Sequence, residues 1–311
     1  MDAVTADAHQ GCYLAIPNTV SEPRERIDYP SWCFGWSDFA GNGDEVPEIA
    51  LDPDDGILNI INTGVVPRTY FVTVSKCDRV WTADSCDLMV EASKNGRNYV
   101  TFVALVPANY SVQICKLEPK ARKKRISLSA LASVQISSDV QDYDPRVPGG
   151  LPVALDTFPL AAGIAEQFVC TQSAGGRLTH FAHPSTFHAV DFRCPVGTPI
   201  VALFDAEVVD IRNDSTNSGV RVEDLFAWNS IMIKSVDSEL YCEYVHVKKD
   251  SFRVQLGDRV RKGDVLCESG AVGFCPEPHL HFEIHRSREP GADSVPITWQ
   301  GTPFVAGKSY P

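Results

Sequence analysis

The stretch "PHLHFEIH", residues 278–285, alternates apolar and polar side chains and decides our interpretation of the fold. Side chains two residues apart share one face of a β-strand. Leu280, Phe282 and Ile284 are therefore predicted to point into a core. The opposite face would carry a row of metal-seeking side chains, namely His279, His281, Glu283 and His285. One pattern thus predicts both a strand and a candidate functional surface.

Short β-type segments precede this strand in the sequence. They are rich in β-branched and aromatic residues and are separated by Gly, Pro, Asn and Asp. Few segments show an apolar repeat with the period of a helix, so the sequence predicts a mainly β protein with mostly antiparallel sheets. The segments include "ILNIINTG", "RTYFVTVSK", "NYVTFVALV", "AEVVDIR", "SIMIKS" and "ELYCEYVHV".

The length of 311 residues suits two domains better than one. The opening stretch is aperiodic and rich in Pro, Asp, Gly and Trp, and a second Pro-rich and Asp-rich stretch begins at residue 139. We predict an irregular N-terminal segment over 1–50, a small β-sandwich-like domain over 51–138, a linker over 139–160 and a second β domain over 161–311.

The composition argues against several classes of function. A net charge of −12 argues against general affinity for nucleic acid. No apolar run approaches the ~20 residues of a transmembrane helix. The start lacks the basic and apolar regions of a secretory signal, so an extracytoplasmic or secreted location is expected only if the substrate is cell wall. The ten cysteines include no C-x-x-C pair, and disulfide formation stays open.

The histidines are concentrated in the second half of the chain. Seven of the eight lie between residues 180 and 285, together with Asp191. Zinc binds imidazole nitrogen and carboxylate oxygen, and three protein ligands leave the fourth position of a reactive site for water. The metal lowers the pKa of that water towards ~7, and further histidines can move its proton or stabilise an oxyanion. The cluster therefore predicts one catalytic Zn²⁺ ion.

Four motifs in a fixed order resemble the LytM/lysostaphin-type zinc endopeptidases. They are "AVDFRCPVGTPIVA" (189–202), "YVH" (244–246), "GDRVRKGDVLCESGAVGFCPEP" (257–278) and "HLHFEI" (279–284). In that family a glycine-bounded hairpin and an S-G-x-x-G turn lead into an H-x-H strand. Here Gly257 and Gly263 would bound the hairpin, and Ser269, Gly270 and Gly273 would form the turn. The resemblance covers roughly residues 165–290.

The resemblance implies a role for four residues. Asp191 and His281 match the metal-binding aspartate and histidine. His246 and His279 match the two histidines that flank the metal-bound water and the developing oxyanion. Glu283 has two interpretations, either a hydrogen bond to a ligand histidine or a solvated position on the strand.

The first metal ligand is less well defined. Many members of the family have a histidine four residues before the aspartate, where this chain has Phe187. A subgroup instead has glycines followed by a Ser-His or Thr-His pair about ten residues before the aspartate, and "GGRLTH" selects His180 on that basis. His183 and His188 remain alternatives, although in an extended chain His188 and Asp191 point to opposite faces.

The resemblance implies a zinc-dependent metalloendopeptidase with the antiparallel barrel-sandwich hybrid fold of the family. Its substrates would be peptide bonds at small residues in peptidoglycan cross-bridges or stem peptides. The strands before the linker loosely resemble the immunoglobulin-like segments that precede the peptidase domain in the same subgroup. The alternative is a catalytically inactive LytM-like module that binds a partner or regulates it. A third possibility is a carrier domain in which a histidine accepts phosphate.

Overall fold

The computed structural model describes residues 12–13, 34–35, 48–51, 57–75, 80–82, 88–94, 97–118, 135–161, 167–176 and 178–311. Most of the predicted segment 1–50 lies outside these residues. Regular structure within the described ranges is almost all β-strand, which confirms the predicted mainly β class. The described part contains two short 3-10 helices, His180–Ala182 and Val222–Asp224, and no α-helix. None of its helices has the length and hydropathy needed to cross a membrane.

The described residues form two compact units. The first unit holds those up to Tyr143 together with Val220–Val222, and the second holds the others from Asp144 to Pro311. The range 139–160, predicted as a linker, contains the end of a strand of the first unit and a whole strand of the second. The assignment of domains stays a prediction.

The first unit consists of two antiparallel sheets, ordered β1-β7-β8-β5-β10 and β2-β9-β4-β3, with β6 added beside β9. In β5, Tyr70, Val72 and Val74 occupy every second position and enter the apolar core, as a period of two requires. The strands are β1 Cys12–Tyr13, β2 Phe34–Gly35, β3 Ile49–Leu51, β4 Ile57–Asn62, β5 Arg68–Ser75, β6 Val80–Thr82, β7 Leu88–Lys94, β8 Arg97–Val106, β9 Tyr110–Glu118 and β10 Gln135–Asp142.

The second unit is built on an eight-stranded antiparallel sheet with the order β19-β15-β17-β18-β22-β13-β12-β25. Smaller sheets join β11, β23 and β24, then β14 and β20, then β16 and β21; the pairs β11–β23 and β16–β21 are parallel. The strands are β11 Val153–Leu155, β12 Phe168–Gln172, β13 Val190–Arg193, β14 Pro199–Val201, β15 Ala206–Arg212, β16 Ser218–Gly219, β17 Ser230–Ser235, β18 Tyr241–Val245, β19 Arg259–Val260, β20 Val265–Glu268, β21 Gly273–Phe274, β22 His279–His285, β23 Ile297–Trp299, β24 Thr302–Pro303 and β25 Ser309–Tyr310.

The strand that decided the prediction, β22, lies in the middle of this sheet. Its apolar face is buried as predicted, since Leu280, Phe282 and Ile284 have no exposed surface. Phe282 packs against Phe192, with ring centroids 6.1 Å apart. The register with β13 places Asp191 directly opposite His281. Because directly opposed residues point to the same face, the aspartate and the histidine meet on the face away from this core.

The predicted hairpin over residues 257–266 is wrong. Its two strands do not pair with each other, because β19 pairs with β15 whereas β20 pairs with β14. Gly257 and Gly263 do reverse the chain, with φ angles of +87° and +88°. Their backbone N–H groups donate to the carbonyl oxygens of Val208 and Ala202, which directs the two strands into different sheets.

Candidate metal centre

Three side chains from three elements converge on the polar face of the large sheet. His180 lies in the 3-10 helix that follows β12, Asp191 on β13 and His281 on β22. Nε2 of His180 lies 3.1 Å from Oδ1 of Asp191 and 3.2 Å from Nδ1 of His281, and the last two atoms are 2.8 Å apart. His180 is fully buried, and Asp191 is 2% exposed.

The outward hydrogen bonds of the two histidines determine which nitrogen carries the proton. Nδ1 of His180 lies 3.1 Å from the carbonyl oxygen of Ser173, which can only accept, so that nitrogen donates and Nε2 presents a lone pair. Nε2 of His281 lies 3.3 Å from a carboxylate oxygen of Glu283 and donates to it, which leaves the lone pair on Nδ1. The neutral forms of both histidines therefore direct lone pairs at Oδ1 of Asp191.

Three lone pairs at such short range repel one another unless a cation or a proton lies between them. Zinc bonds of about 2.0–2.2 Å at tetrahedral angles place ligand atoms about 3.3–3.6 Å apart, about half an ångström more than the separations here. The donor set of two imidazoles and one carboxylate thus fits a divalent cation. The described residues also bring together Glu243, Glu283 and His285, but Glu283 there is already hydrogen-bonded to two histidines.

The charges of the centre favour binding of a cation. Burial alone would raise the pKa of Asp191, but the nearby His180, His279 and His281 outweigh burial and hold that pKa well below its ordinary value. Burial lowers the pKa of His281, but the charge of Asp191 and its hydrogen bond outweigh burial and raise the pKa to about 10. Asp191 therefore stays ionised, and a proton on His281 competes with a metal ion for the same lone pair.

Gln172 is a partner of Asp191 that no sequence motif indicates. Its Nε2 donates to Oδ2 of Asp191 at 2.6 Å, which leaves Oδ1 to face the two histidines. The signal available in the sequence was a polar residue at an inward position of a strand. In β12, Phe168, Cys170 and Gln172 are the buried alternate positions.

His246 and His279 lie beside the three ligand residues, with ring centroids 4.5 Å apart. Nδ1 of His246 donates to the carbonyl oxygen of Val272 at 2.7 Å, and Nδ1 of His279 donates to that of Glu277 at 2.7 Å. Each ring therefore directs a free Nε2 inward. Burial and the neighbouring histidines hold the pKa of His246 well below its ordinary value, so this ring is neutral and can accept a proton.

The backbone around His246 is held in a demanding conformation. Its φ angle is +62°, in the left-handed region that few non-glycine residues adopt. Gly270 lies against this segment, and a Cβ atom there would lie 2.6 Å from the carbonyl oxygen of His246 and 2.7 Å from the nitrogen of Lys248. The glycine of the predicted turn thus allows the segment that carries His246 to approach closely.

Glu283 does not occupy a solvated position on the strand, because it is only 6% exposed. Its carboxylate lies between two histidines, with Oε2 3.3 Å from Nε2 of His281 and Oε1 3.4 Å from Nε2 of His285. Nδ1 of His285 donates to the carbonyl oxygen of Ala292 at 3.0 Å. Of the two interpretations from the sequence, the structure supports the hydrogen bond to a ligand histidine.

The alternative first ligands lie apart from this centre. Nδ1 of His183 is 2.8 Å from the hydroxyl oxygen of Ser185. Nε2 of His188 is 2.7 Å from the carbonyl oxygen of Pro148. Among the candidates from the sequence, the structure brings only His180 to Asp191 and His281. The assignment of these three as metal ligands, and of His246 and His279 as catalytic residues, stays a prediction.

Comparison with known proteins identifies the domain that contains the centre. Residues 185–293 match the model of peptidase family M23. The chain contains a peptidase family M23 domain. The matched range includes Asp191, His246, His279 and His281 but begins after His180, so the assignment of His180 depends on its position in the structure.

The M23 domain is also similar to individual relatives. The chain is 33% identical over 96 residues to glycyl-glycine endopeptidase ALE-1 of Staphylococcus capitis, covering 31% of this chain and 24% of the relative. It is 30% identical over 157 residues to peptidoglycan DD-endopeptidase ShyB of Vibrio cholerae, covering 49% of this chain and 32% of the relative. The chain thus spans about a quarter to a third of the length of these relatives. Among solved structures, the catalytic domain of the M23 protein EnpA from Enterococcus faecalis is 26% identical, covering 45% of this chain and 94% of that domain, with a TM-score of 0.32.

Proposed function

We propose that this protein is a zinc-dependent metalloendopeptidase that hydrolyses peptide bonds of peptidoglycan. The observation that carries the proposal is the convergence of three atoms able to ligate a metal, from His180, Asp191 and His281, at mutual distances of 2.8–3.2 Å. His180 Nε2, Asp191 Oδ1 and His281 Nδ1 would hold the ion. A bound zinc ion would polarise the scissile carbonyl and lower the pKa of the attacking water.

The two flanking histidines, His246 and His279, would act on the proton and on the developing negative charge of the reaction. Neutral His246 accepts a proton at Nε2 from the attacking water, while its Nδ1–H stays bound to the carbonyl oxygen of Val272. Because its pKa is low, His246 then gives up this proton readily to the departing amine. Nε2 of His279 faces the place where negative charge develops on the substrate oxygen, and Asp191 Oδ2 lies 3.8 Å from that nitrogen.

The orientation of His279 depends on a neighbouring ion pair. Arg193 binds the carboxylate of Glu277 through two contacts of 2.6 Å and 3.0 Å. The backbone carbonyl of the same Glu277 accepts the Nδ1 proton of His279. The ion pair therefore fixes the acceptor that keeps the free Nε2 of His279 directed at the centre.

The substrate class is inferred from the relatives. ALE-1 is named a glycyl-glycine endopeptidase and ShyB a peptidoglycan DD-endopeptidase. We infer that this chain cuts bonds at small residues, in cross-bridges or in stem peptides of the cell wall. A substrate in the wall would place the site of action outside the cytoplasm.

The test combines metal analysis with cleavage assays. Purified protein is assayed on peptidoglycan and on short glycine and alanine peptides, with and without chelator, and its zinc content is measured. We expect one zinc per chain and chelator-sensitive cleavage, with both lost in His281→Ala. The matched control is His183→Ala, because His183 bonds to Ser185 away from the centre. A protein that binds zinc but cleaves none of these substrates would favour the inactive binding module instead.

A further inference from the structure

The side-chain amide of Gln172 bonds to two segments that carry predicted metal ligands. Its Nε2 donates to Oδ2 of Asp191 at 2.6 Å, and its Oε1 accepts from the backbone nitrogens of Leu178 at 3.1 Å and Thr179 at 3.4 Å. Backbone N–H groups only donate and a carboxylate only accepts, so the orientation of this amide is fixed from both ends. Gln172 is 5% exposed, and water has little access to replace these bonds.

An irregularity in β12 brings Gln172 to this position. The register between β12 and β13 shifts between Cys170, opposite Phe192, and Gln172, opposite Asp191. Two steps along β12 thus correspond to one step along β13, as in a β-bulge, which can redirect a side chain. The shift aims the amide at Asp191, and it lets Ser173 accept the Nδ1 proton of His180.

Gln172 and Ser173 thereby hold two of the three predicted ligands before a metal arrives. Thr179, which the amide holds, is the residue directly before His180. Without the amide, the carboxylate of Asp191 could turn about its side-chain torsions and the loop before His180 would lose two anchors. Partners of this kind commonly contribute 10-fold to 100-fold in metal affinity.

We propose that Gln172 is a positioning residue that sets the zinc affinity of the centre by fixing Asp191 and the His180 loop together. The inference rests on the proposed zinc site and adds to it a residue outside the range matched by the family model, 185–293.

Gly176 offers an independent way to disturb the same amide. A Cβ atom at this position would lie 2.8 Å from Oε1 of Gln172, 3.1 Å from its Cβ and 3.1 Å from the carbonyl oxygen of Ser173. Gly176→Ala should therefore displace the amide without changing its chemistry, and it should also crowd the Ser173 carbonyl that accepts from His180. Gly149 is the matched control, because a Cβ atom there meets nothing within 4 Å.

The experiment measures metal binding rather than turnover. Zinc dissociation constants of the whole chain are obtained by competition with a chromophoric chelator. The variants are Gln172→Met, which removes both sets of bonds, Gln172→Glu, which keeps the acceptor towards the loop and, when ionised, replaces the donor towards Asp191 with a second acceptor, and Gly176→Ala. The controls are Gln255→Met, at an exposed glutamine, and Gly149→Ala. Visible spectra of the cobalt-loaded proteins report the ligand geometry, and melting of the metal-free proteins reports folding.

We expect zinc binding 10-fold to 100-fold weaker in the three variants, with altered cobalt spectra, and unchanged values in both controls. Should Gln172→Met unfold, Gln172→Glu and Gly176→Ala still test the inference. Wild-type affinity and an unchanged cobalt spectrum in folded Gln172 variants would overturn the inference while the proposed function stands. A wild-type chain that binds zinc no better than His281→Ala would overturn the proposed function and this inference with it.

Discussion

Zinc binding to this centre should displace a proton from His281. The structure gives this ring two acceptors, Asp191 Oδ1 at 2.8 Å and Glu283 Oε2 at 3.3 Å, so both ring nitrogens can hold protons. The charge of Asp191 outweighs burial and raises the pKa of His281 to about 10. A metal ion can bind Nδ1 only after its proton leaves.

The pKa of His281 sets the number of protons that zinc releases and the pH dependence of zinc affinity. Between pH 6.5 and 8.5 the metal-free ring is almost fully protonated, so we expect about one proton released per zinc from His281. Zinc affinity should then rise about tenfold per pH unit, or about 1.4 kcal/mol, and level off as the pH passes the pKa. For folding, the raised pKa contributes stability that is fully present below the ordinary value of 6.5 and is lost as the pH rises through about 10.

Isothermal titration calorimetry in buffers of different ionisation enthalpy counts the released protons. Glu283→Gln is the informative variant, because Glu283 helps to raise the pKa of His281 through a hydrogen bond and its charge. Its proton release should fall towards the upper end of the pH range. Tight zinc binding with no proton release near pH 7 would show that the ring is already neutral and that its two acceptors do not raise its pKa.

Three further outcomes are expected. His246→Ala should lower kcat by about 10²–10⁴-fold in peptide cleavage, while zinc affinity from chelator competition stays within about twofold. A parallel loss of zinc would instead make His246 a metal ligand. Phe282→Ala should lower the free energy of unfolding by about 3–5 kcal/mol in urea titrations, because the ring is fully buried. The control Phe226→Ala, at a side chain that is 55% exposed, should change this free energy by less than about 1 kcal/mol. Removing zinc with a chelator should abolish cleavage and lower the melting temperature, and added zinc should restore both, since a ligand that binds only the folded state stabilises it.

The parts of this site that sequence could predict are those encoded by strand periodicity. Alternation along residues 279–285 assigned Leu280, Phe282 and Ile284 to a core, and the structure buries all three completely. The same period placed His279 and His281 on one face. Motif order then brought in Asp191 and His246 from other strands, which periodicity alone could not do.

The parts that escaped prediction depend on contacts between distant segments. Gln172 has no motif of its own, and its role follows from a register shift between β12 and β13. The burial of Glu283 between two histidines depends on β18, which pairs with β22, and on the loop around Ala292, whose carbonyl oxygen bonds to His285. The strands after Gly257 and Gly263 pair with different partners, although the turn residues around them were recognised.

One pattern in β22 specifies both the core and the candidate site. A shift in the register of this strand would therefore disrupt both together. Asp191 faces His281 and Val190 faces Phe282 because of one alignment of β13 with β22. A slip of a single residue would turn Phe282 towards the polar face and the histidine towards the core. Burying the aromatic ring opposes that slip by about 1.5–3 kcal/mol. The apolar face thus keeps the carboxylate and the imidazole within reach of one ion, while the loop that carries His180 depends on Gln172 and Ser173 for the same precision.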